Sequence, residues 1–221
     1  MIQVRGLSCE APDGRRLLED LDLEVPAGGN LLVSGASGSG KSQVLRVLAG
    51  AEGPRCGEVR ISGVRVWPGE GALALAGRVR MGFAFATGGL LSNLTLADNI
   101  ALPLRFLGLS AAEAIRRRDE AMTRLGLGPV AALRPHAVSG AARRHANLAR
   151  VLALDPEVIL LDEPLEGLDA QDRAVAQELV AGWAADSRRT LVLALEAPAL
   201  LPGLTAQRLE LRSHPSPLEM P

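Results

Sequence analysis

Apolar and polar residues alternate from the start of the chain. Ile2-Gln3-Val4-Arg5 places an apolar side chain at every second position, and Leu17 to Val25 resumes the pattern after a Pro12-Asp13-Gly14 turn signal. A period of two marks a half-buried strand, so residues 2–25 read as β-structure with turns. Pro26-Ala27-Gly28-Gly29 is a tight turn feeding a short apolar run, Asn30 to Ser34, that reads as a buried strand. Gln43 to Ala49 reads as the start of a helix. Gly57 to Gly63 is a half-buried strand between glycines, and a further short strand is expected from Val79 to Phe85. From about Ser92 to Ala149 the character becomes helical. Ser110-Ala111-Ala112-Glu113 carries a capping-box signature, in which the serine hydroxyl and the glutamate carboxylate satisfy each other's free backbone donors. Behind it, Ile115, Met122 and Leu125 are expected on one helix face, and Arg116-Arg117-Arg118 with Asp119-Glu120 on a solvated one. β-Structure returns at Val158 to Leu161. A helix from Gln171 to Ala185, a strand at Thr190 to Leu195 and a last strand near Arg208 to Leu211 follow. Three of the nine residues from Ser213 onward are proline, so a disordered tail is expected. This order predicts an α/β core with an antiparallel β portion at its N-terminal end and an inserted helical lobe.

Composition narrows the function. At 221 residues, 48% hydrophobic and a net charge of −1, the chain suits one sizeable soluble domain and lacks the basic footprint of a nucleic-acid binder. Cys9 and Cys56 have neither metal-ligand spacing nor disulfide density, which predicts a reducing compartment. Residues 1–20 show no signal peptide, and no window reaches the ~18 apolar residues of a membrane helix, so a membrane role would need a partner. There is no tyrosine; Phe83, Phe85, Phe106, Trp67 and Trp183 are the only aromatic residues.

Gly35-Ala36-Ser37-Gly38-Ser39-Gly40-Lys41-Ser42 fits the phosphate-loop pattern, between a predicted strand and a predicted helix. Its glycines let the backbone curl so that N–H groups point at phosphate oxygens, helped by the helix N-terminus. Lys41 can reach the β- and γ-phosphates, and the Ser42 hydroxyl can ligate Mg²⁺. Residues Gly35 to Ser42, with the adjoining Gln43, are the candidate set for binding a nucleoside triphosphate. Val158 to Leu161 ends in Asp162 and Glu163. Such a strand delivers Asp162 beside the loop, where it can hold Mg²⁺ through water, and sets Glu163 to polarise the attacking water. Lys41 and Glu163 are the candidate catalytic pair.

With Gly167-Leu168-Asp169 just downstream, the arrangement resembles the nucleotide-binding subunit of an ATP-binding cassette (ABC) transporter, a phosphate-loop NTPase. The resemblance covers residues 2 to about 212: Leu17 to Gly28 is similar to the family's opening strands, Asn93 to Leu104 to the start of its helical lobe, and Ala149 to Pro156 to the approach to its carboxylate strand. It implies a single ATP-binding domain over 1–212, with the helical lobe at about 92–149 and a tail from 213 to 221. It also implies a head-to-tail pair of nucleotide-binding subunits. ATP would lie between one subunit's phosphate loop and the Ser139-Gly140 helix start of the other. An integral membrane permease would hold the pair at the cytoplasmic face. The phrase from Asn99 to Leu104 is similar to subunits serving lipid or lipoprotein traffic.

The chain also departs from the family. The signature Leu-Ser-Gly-Gly-Gln appears as Val138-Ser139-Gly140-Ala141-Ala142, the water-sensing glutamine position holds Ala86, and the switch-histidine position holds Glu196. The adenine-stacking aromatic falls near Ala11, at an expected loss of roughly 1–3 kcal/mol of affinity. His136, His145 and His214 are expected to be ordinary surface or helix residues. Losing one preorganised contact at a transition state typically costs ~10²–10³ in rate. Weak hydrolysis is therefore expected. A non-hydrolysing regulatory or assembly module, an asymmetric heterodimer with one intact site and, more remotely, a phosphate-loop kinase stay open.

Overall fold

A computed structural model describes residues 1–11 and 14–211; the Pro12-Asp13 part of the first turn, His214 and the proline-rich tail lie outside the described residues. An antiparallel sheet is built from β1 (Ile2–Glu10), β2 (Arg16–Val25), β4 (Cys56–Ile61) and β5 (Val64–Trp67), in the order β2-β1-β4-β5. Ile2 pairs with both Val25 and Ile61, and Val4 with Leu23 and Val59, so one face of the sheet is apolar. The inward set in β1 is Ile2, Val4, Leu7 and Cys9. Its phase slips by one between Val4 and Leu7, because a bulge at Gly6 (φ 55°) inserts an extra residue against β2. Without that bulge Leu7 would point to solvent.

The second sheet is parallel. Its strands are β3 (Asn30–Ser34), β6 (Met81–Ala84), β7 (Val158–Asp162), β8 (Thr190–Leu195) and β9 (Gln207–Glu210), in the order β6-β7-β8-β3-β9. Apart from the edge strand β9, whose Gln207-Arg208-Leu209-Glu210 is mostly exposed, both faces are covered, and the strands are apolar runs that divide their side chains between two cores. Leu31, Val33, Val158, Leu160 and Val192 join the antiparallel sheet and helix α1 (Lys41–Leu48), with Trp67 packed against that core. Leu32, Ile159, Leu161, Leu191 and Leu193 join the helices on the other side, together with Trp183. Each full burial of such a side chain contributes roughly 1.5–3 kcal/mol.

The helix side comprises α3 (Leu96–Phe106), α4 (Ala111–Arg124), α5 (Gly140–Leu154) and α6 (Ala170–Ala185). In α3, Leu96, Ile100 and Leu104 recur every four residues and are fully buried. Buried Asn99 bonds Leu91 N–H through Oδ1 and the Leu91, Leu94 and Thr95 carbonyls through Nδ2, so it organises the loop before the helix.

Several local expectations are corrected. Ser110 Oγ accepts from Glu113 N–H, but the Glu113 carboxylate turns to Arg116 and Arg117 rather than back to the cap. Two guanidiniums outcompete one backbone donor, and they hold Glu113 down to about 2. Ile115 is 48% exposed, because the buried stripe of α4 runs through Ala114, Ala121 and Met122, one residue round the helix. Helix character begins at Leu96 and continues to Leu154, later at both ends than the sequence pattern indicates. Strand β5 and the short helix α2 (Ala72–Leu75) fall in a stretch with no periodic signal.

Candidate functional site

The parallel strands bring the site together at their carboxyl ends. Asp162 pairs with Ala194, and Leu195 with Ser34, so the ends of β7, β8 and β3 are level. In open parallel sheets that edge is where ligands bind. The loop from Gly35 to Gly40 leaves β3 there and enters α1. Gly35 (φ 153°) must be glycine, since a Cβ would stand 2.6 Å from Ser39 Oγ and 2.7 Å from the Leu211 carbonyl. Gly40 (φ 96°) begins the helix in a left-handed conformation. Ser39 N–H donates to the Ala36 carbonyl at 3.1 Å and closes the turn, while its buried hydroxyl has no partner.

Lys41 is buried at the first position of α1. Its ammonium donates to the Gly35 and Ala36 carbonyls at 2.8 and 3.1 Å and stands 3.2 Å from Glu163 Oε1. That last contact is an ion pair rather than a directed hydrogen bond, so Oε1 has a charge partner but no aligned donor. Glu163 is raised above the usual carboxylate range by burial; the Glu196 N–H and Lys41 pull it back, and Glu166 pushes it further up. Asp162 is 4% exposed and likewise raised by burial, against the Ser42 hydroxyl and the Ala86 N–H that bond its carboxylate. Its Oδ1 is buried without a partner.

The cleft at these groups has a volume of about 400 Å³ and is lined by Ser37, Gly38, Gly40, Lys41, Ser42 and Gln43 together with Glu163. Gln43 also donates to the Glu10 carbonyl at 2.5 Å, fixing the cleft's outer wall. Ala86, Glu196 and Ala11 all line the cleft, and among the described residues no aromatic side chain does. Five lining residues are not among the site residues expected from the sequence: Arg15, Leu17, Arg46, Thr87 and Glu166. Arg15 donates to the Gly38 carbonyl at 2.9 Å, across a separation of 23 residues that no local pattern signals. Ser139 and Gly140 are not brought to this cleft. They begin α5, with Ser139 Oγ accepting from Ala142 N–H at 3.1 Å, and Ser139 lines a separate hollow of about 490 Å³ with His145. His145 is buried inside α5, its ring nitrogens 3.2 and 3.3 Å from the Leu125 and Asp172 carbonyls. His136 is exposed in a 3-10 turn.

A third depression, about 370 Å³ and mostly apolar, lies between β6, α3 and α5 and is lined by Met81, Phe83, Leu102, Phe106, Arg150 and Leu154. Phe106 at its rim is 84% exposed.

The site fits a metal–triphosphate. The ammonium of Lys41 reaches loop carbonyls and Glu163 alike, the Ser42 hydroxyl already meets Asp162, and the orphaned Oδ1 of Asp162 would gain a partner in a hard divalent cation. Comparison with known proteins leads to the same place. The ABC transporter family model matches residues 18–166. The chain is 33% identical over 204 residues to the lipoprotein-releasing system ATP-binding protein LolD of Chromohalobacter salexigens, covering 90% of this chain and 86% of that one. It is 37% identical over 187 residues to the methionine import ATP-binding protein MetN of Caulobacter vibrioides, covering 83% of this chain and 55% of that one. It superposes on the dimeric, ADP- and phosphate-bound cassette MJ0796 with a TM-score of 0.86 at 25% identity, covering 96% and 94% of the two chains. A phosphate loop and a paired carboxylate strand at one sheet edge, in a chain so matched, make this protein an ATP-binding cassette of the ABC transporter family.

Proposed function

We propose that the chain is the ATP-binding subunit of a membrane transporter, with slow hydrolysis of ATP. The observation that carries the reading is the placement of Glu163 in the same cleft as the phosphate loop, 3.2 Å from Lys41. Gly35 to Ser42 and Gln43 would hold the triphosphate, with Lys41 at its terminal phosphates, and Ser42 and Asp162 would hold Mg²⁺. Bound there, Mg²⁺ would supply charge neutralisation on the phosphates. Glu163, held above the ordinary carboxylate range by burial, is suited to draw a proton from attacking water. Ala86 offers that water no polar side-chain atom, and Glu196 adds a negative charge to the wall, so turnover should be low.

The separate location of Ser139 supports a shared site, with Ser139 and Gly140 meeting the ATP of a second nucleotide-binding subunit. The single domain would span residues 1–212, its helical lobe taking in 92–149. The apolar depression beside Phe106 would seat an apolar segment of a permease, which would hold the subunit at the cytoplasmic face of the membrane. The LolD relative, matched over most of its length, supports lipid or lipoprotein cargo.

Glu163→Gln should keep ATP binding and lower phosphate release by on the order of 10²-fold or more. Equilibrium nucleotide binding and phosphate release on the purified subunit, with its permease where the two co-purify, give the readouts; turnover unaffected by the substitution would remove Glu163 from its role. A second reading, a non-hydrolysing switch in which ATP only closes the subunit pair, is favoured by Ala86 and Glu196 in the cleft wall. It predicts tight binding with no phosphate release in the parent chain.

A further inference from the structure

We infer that Arg144 is a positioning residue for the hydrolytic carboxylate, tying helix α5 to the backbone of Glu163 within one chain. This deepens the ATPase reading above and rests on it. Glu163 has φ 46°, in the left-handed region, which a residue with a side chain occupies only when its surroundings over-determine it. On the side of the parallel sheet its N–H donates to the Ala194 carbonyl at 3.1 Å, and its carboxylate meets Lys41 and the Glu196 N–H. Its carbonyl is held from the opposite direction. It accepts Glu166 N–H at 3.3 Å, closing a turn, and Arg144 Nη1 at 2.5 Å. The other terminus of the same guanidinium, Nη2, stands 3.9 Å from Glu166 Oε2. The guanidinium therefore bonds one end of the Glu163–Glu166 turn directly and stands within ion-pair range of the other, and its planar fork lets one side chain face both.

Two features separate positioning from mere packing. The Arg144 side chain is only 15% exposed and its bond to the Glu163 carbonyl is part-buried, so the hold on the turn rests on that bond rather than on the solvent-screened pair with Glu166, which is 61% exposed. Arg144 also lies five residues beyond Ser139, the cap of α5, so a displacement of the start of that helix pulls directly on the Glu163 carbonyl. Glu196, from the other flank, holds Glu163 only through its backbone N–H and brings no cation. On the proposed head-to-tail pairing, contact of Ser139 with a second subunit's nucleotide would thus bear on the hydrolytic group of its own subunit.

The test compares the parent chain with Arg144→Gln and Arg144→Lys by hydrogen–deuterium exchange over residues 163–167 and by steady-state ATPase kinetics. In Arg144→Gln we expect exchange at least tenfold faster over that segment, kcat lower by about 10- to 100-fold, and KM for ATP within about twofold of the parent. Arg144→Lys should recover part of kcat, since a cation stays within reach of Glu166. Faster exchange with no ATPase in any of the proteins would uphold the positioning and overturn the hydrolytic reading. Unchanged exchange overturns the inference whatever kcat does, and so does faster exchange with unchanged kcat. Should Arg144→Gln fail to fold, Arg144→Lys, which loses the fork but keeps the charge, carries the exchange test alone: the turn exchanges faster, or the inference falls.

Discussion

At the residue scale the site carries a conflict between stability and function. Burial raises both Asp162 and Glu163 above their ordinary values. A raised carboxyl binds its proton more tightly in the folded chain than in the unfolded one. The stability these groups lend is therefore complete below the ordinary carboxylate range, near pH 4, and is lost as pH rises through their folded values. At neutral pH they burden the ligand-free fold. Asp162→Asn should accordingly raise the melting temperature at pH 7 by roughly 2–4 °C while abolishing Mg²⁺-dependent nucleotide binding. Melting the parent and the variant across a pH series checks this. Surface groups held low by arginines, such as Glu113 and Asp186, act in both proteins and cancel in the difference. Parallel profiles would show that Asp162 carries no such burden. These same carboxylates were legible in the sequence, since an apolar strand ending in two acids is a local pattern. Arg144 was not: its bond to Glu163 spans 19 residues and depends on how α5 is rotated.

At the element scale, α5 serves as both scaffold and candidate ligand surface, and the two roles can be separated at its cap. Ser139 Oγ satisfies the Ala142 N–H, so Ser139→Ala should cost about 1 kcal/mol of stability in denaturant unfolding. Ser139→Asp keeps a capping oxygen and should restore that stability, yet it sets a carboxylate where a phosphate would approach. Its ATPase should stay as low as that of Ser139→Ala or fall lower. Recovery of stability and activity together would make Ser139 a cap and nothing more. Element existence was readable here because long apolar periods announce themselves, whereas the phase was less so. Ile115 and Ala114 differ by 100° around α4, and the buried stripe took the alanine because it lets α4 pack closely. Strand β5, four residues before Pro68, is too short to show a period at all.

Over the whole molecule, the cleft at the strand ends and the apolar depression beside Phe106 are distinct places on one sheet-and-helix frame. The ring of Phe106 is almost wholly exposed, so Phe106→Asp should change stability by no more than about 0.5 kcal/mol and leave ATP binding intact. If the depression seats a permease, the same change should release the chain from a membrane fraction that retains the parent. Sedimentation of membranes bearing each form tests this, and equal retention would move the docking site elsewhere. A depression formed by separated segments has no signature in a linear sequence, whereas the phosphate loop is eight consecutive residues whose confirming strand and helix lie directly beside it.

The division of the parallel sheet between two cores gives the protein an optical consequence. With no tyrosine in the chain, near-ultraviolet emission comes almost wholly from its two tryptophans, and they fall on opposite sides: Trp67 against the core beneath the antiparallel sheet, Trp183 within the core beneath the helices. Replacing either indole with phenylalanine leaves a single emitter that watches one side alone. The molecule thus carries a built-in pair of lamps, able to show whether heat, denaturant or nucleotide loosens its two halves together or one before the other.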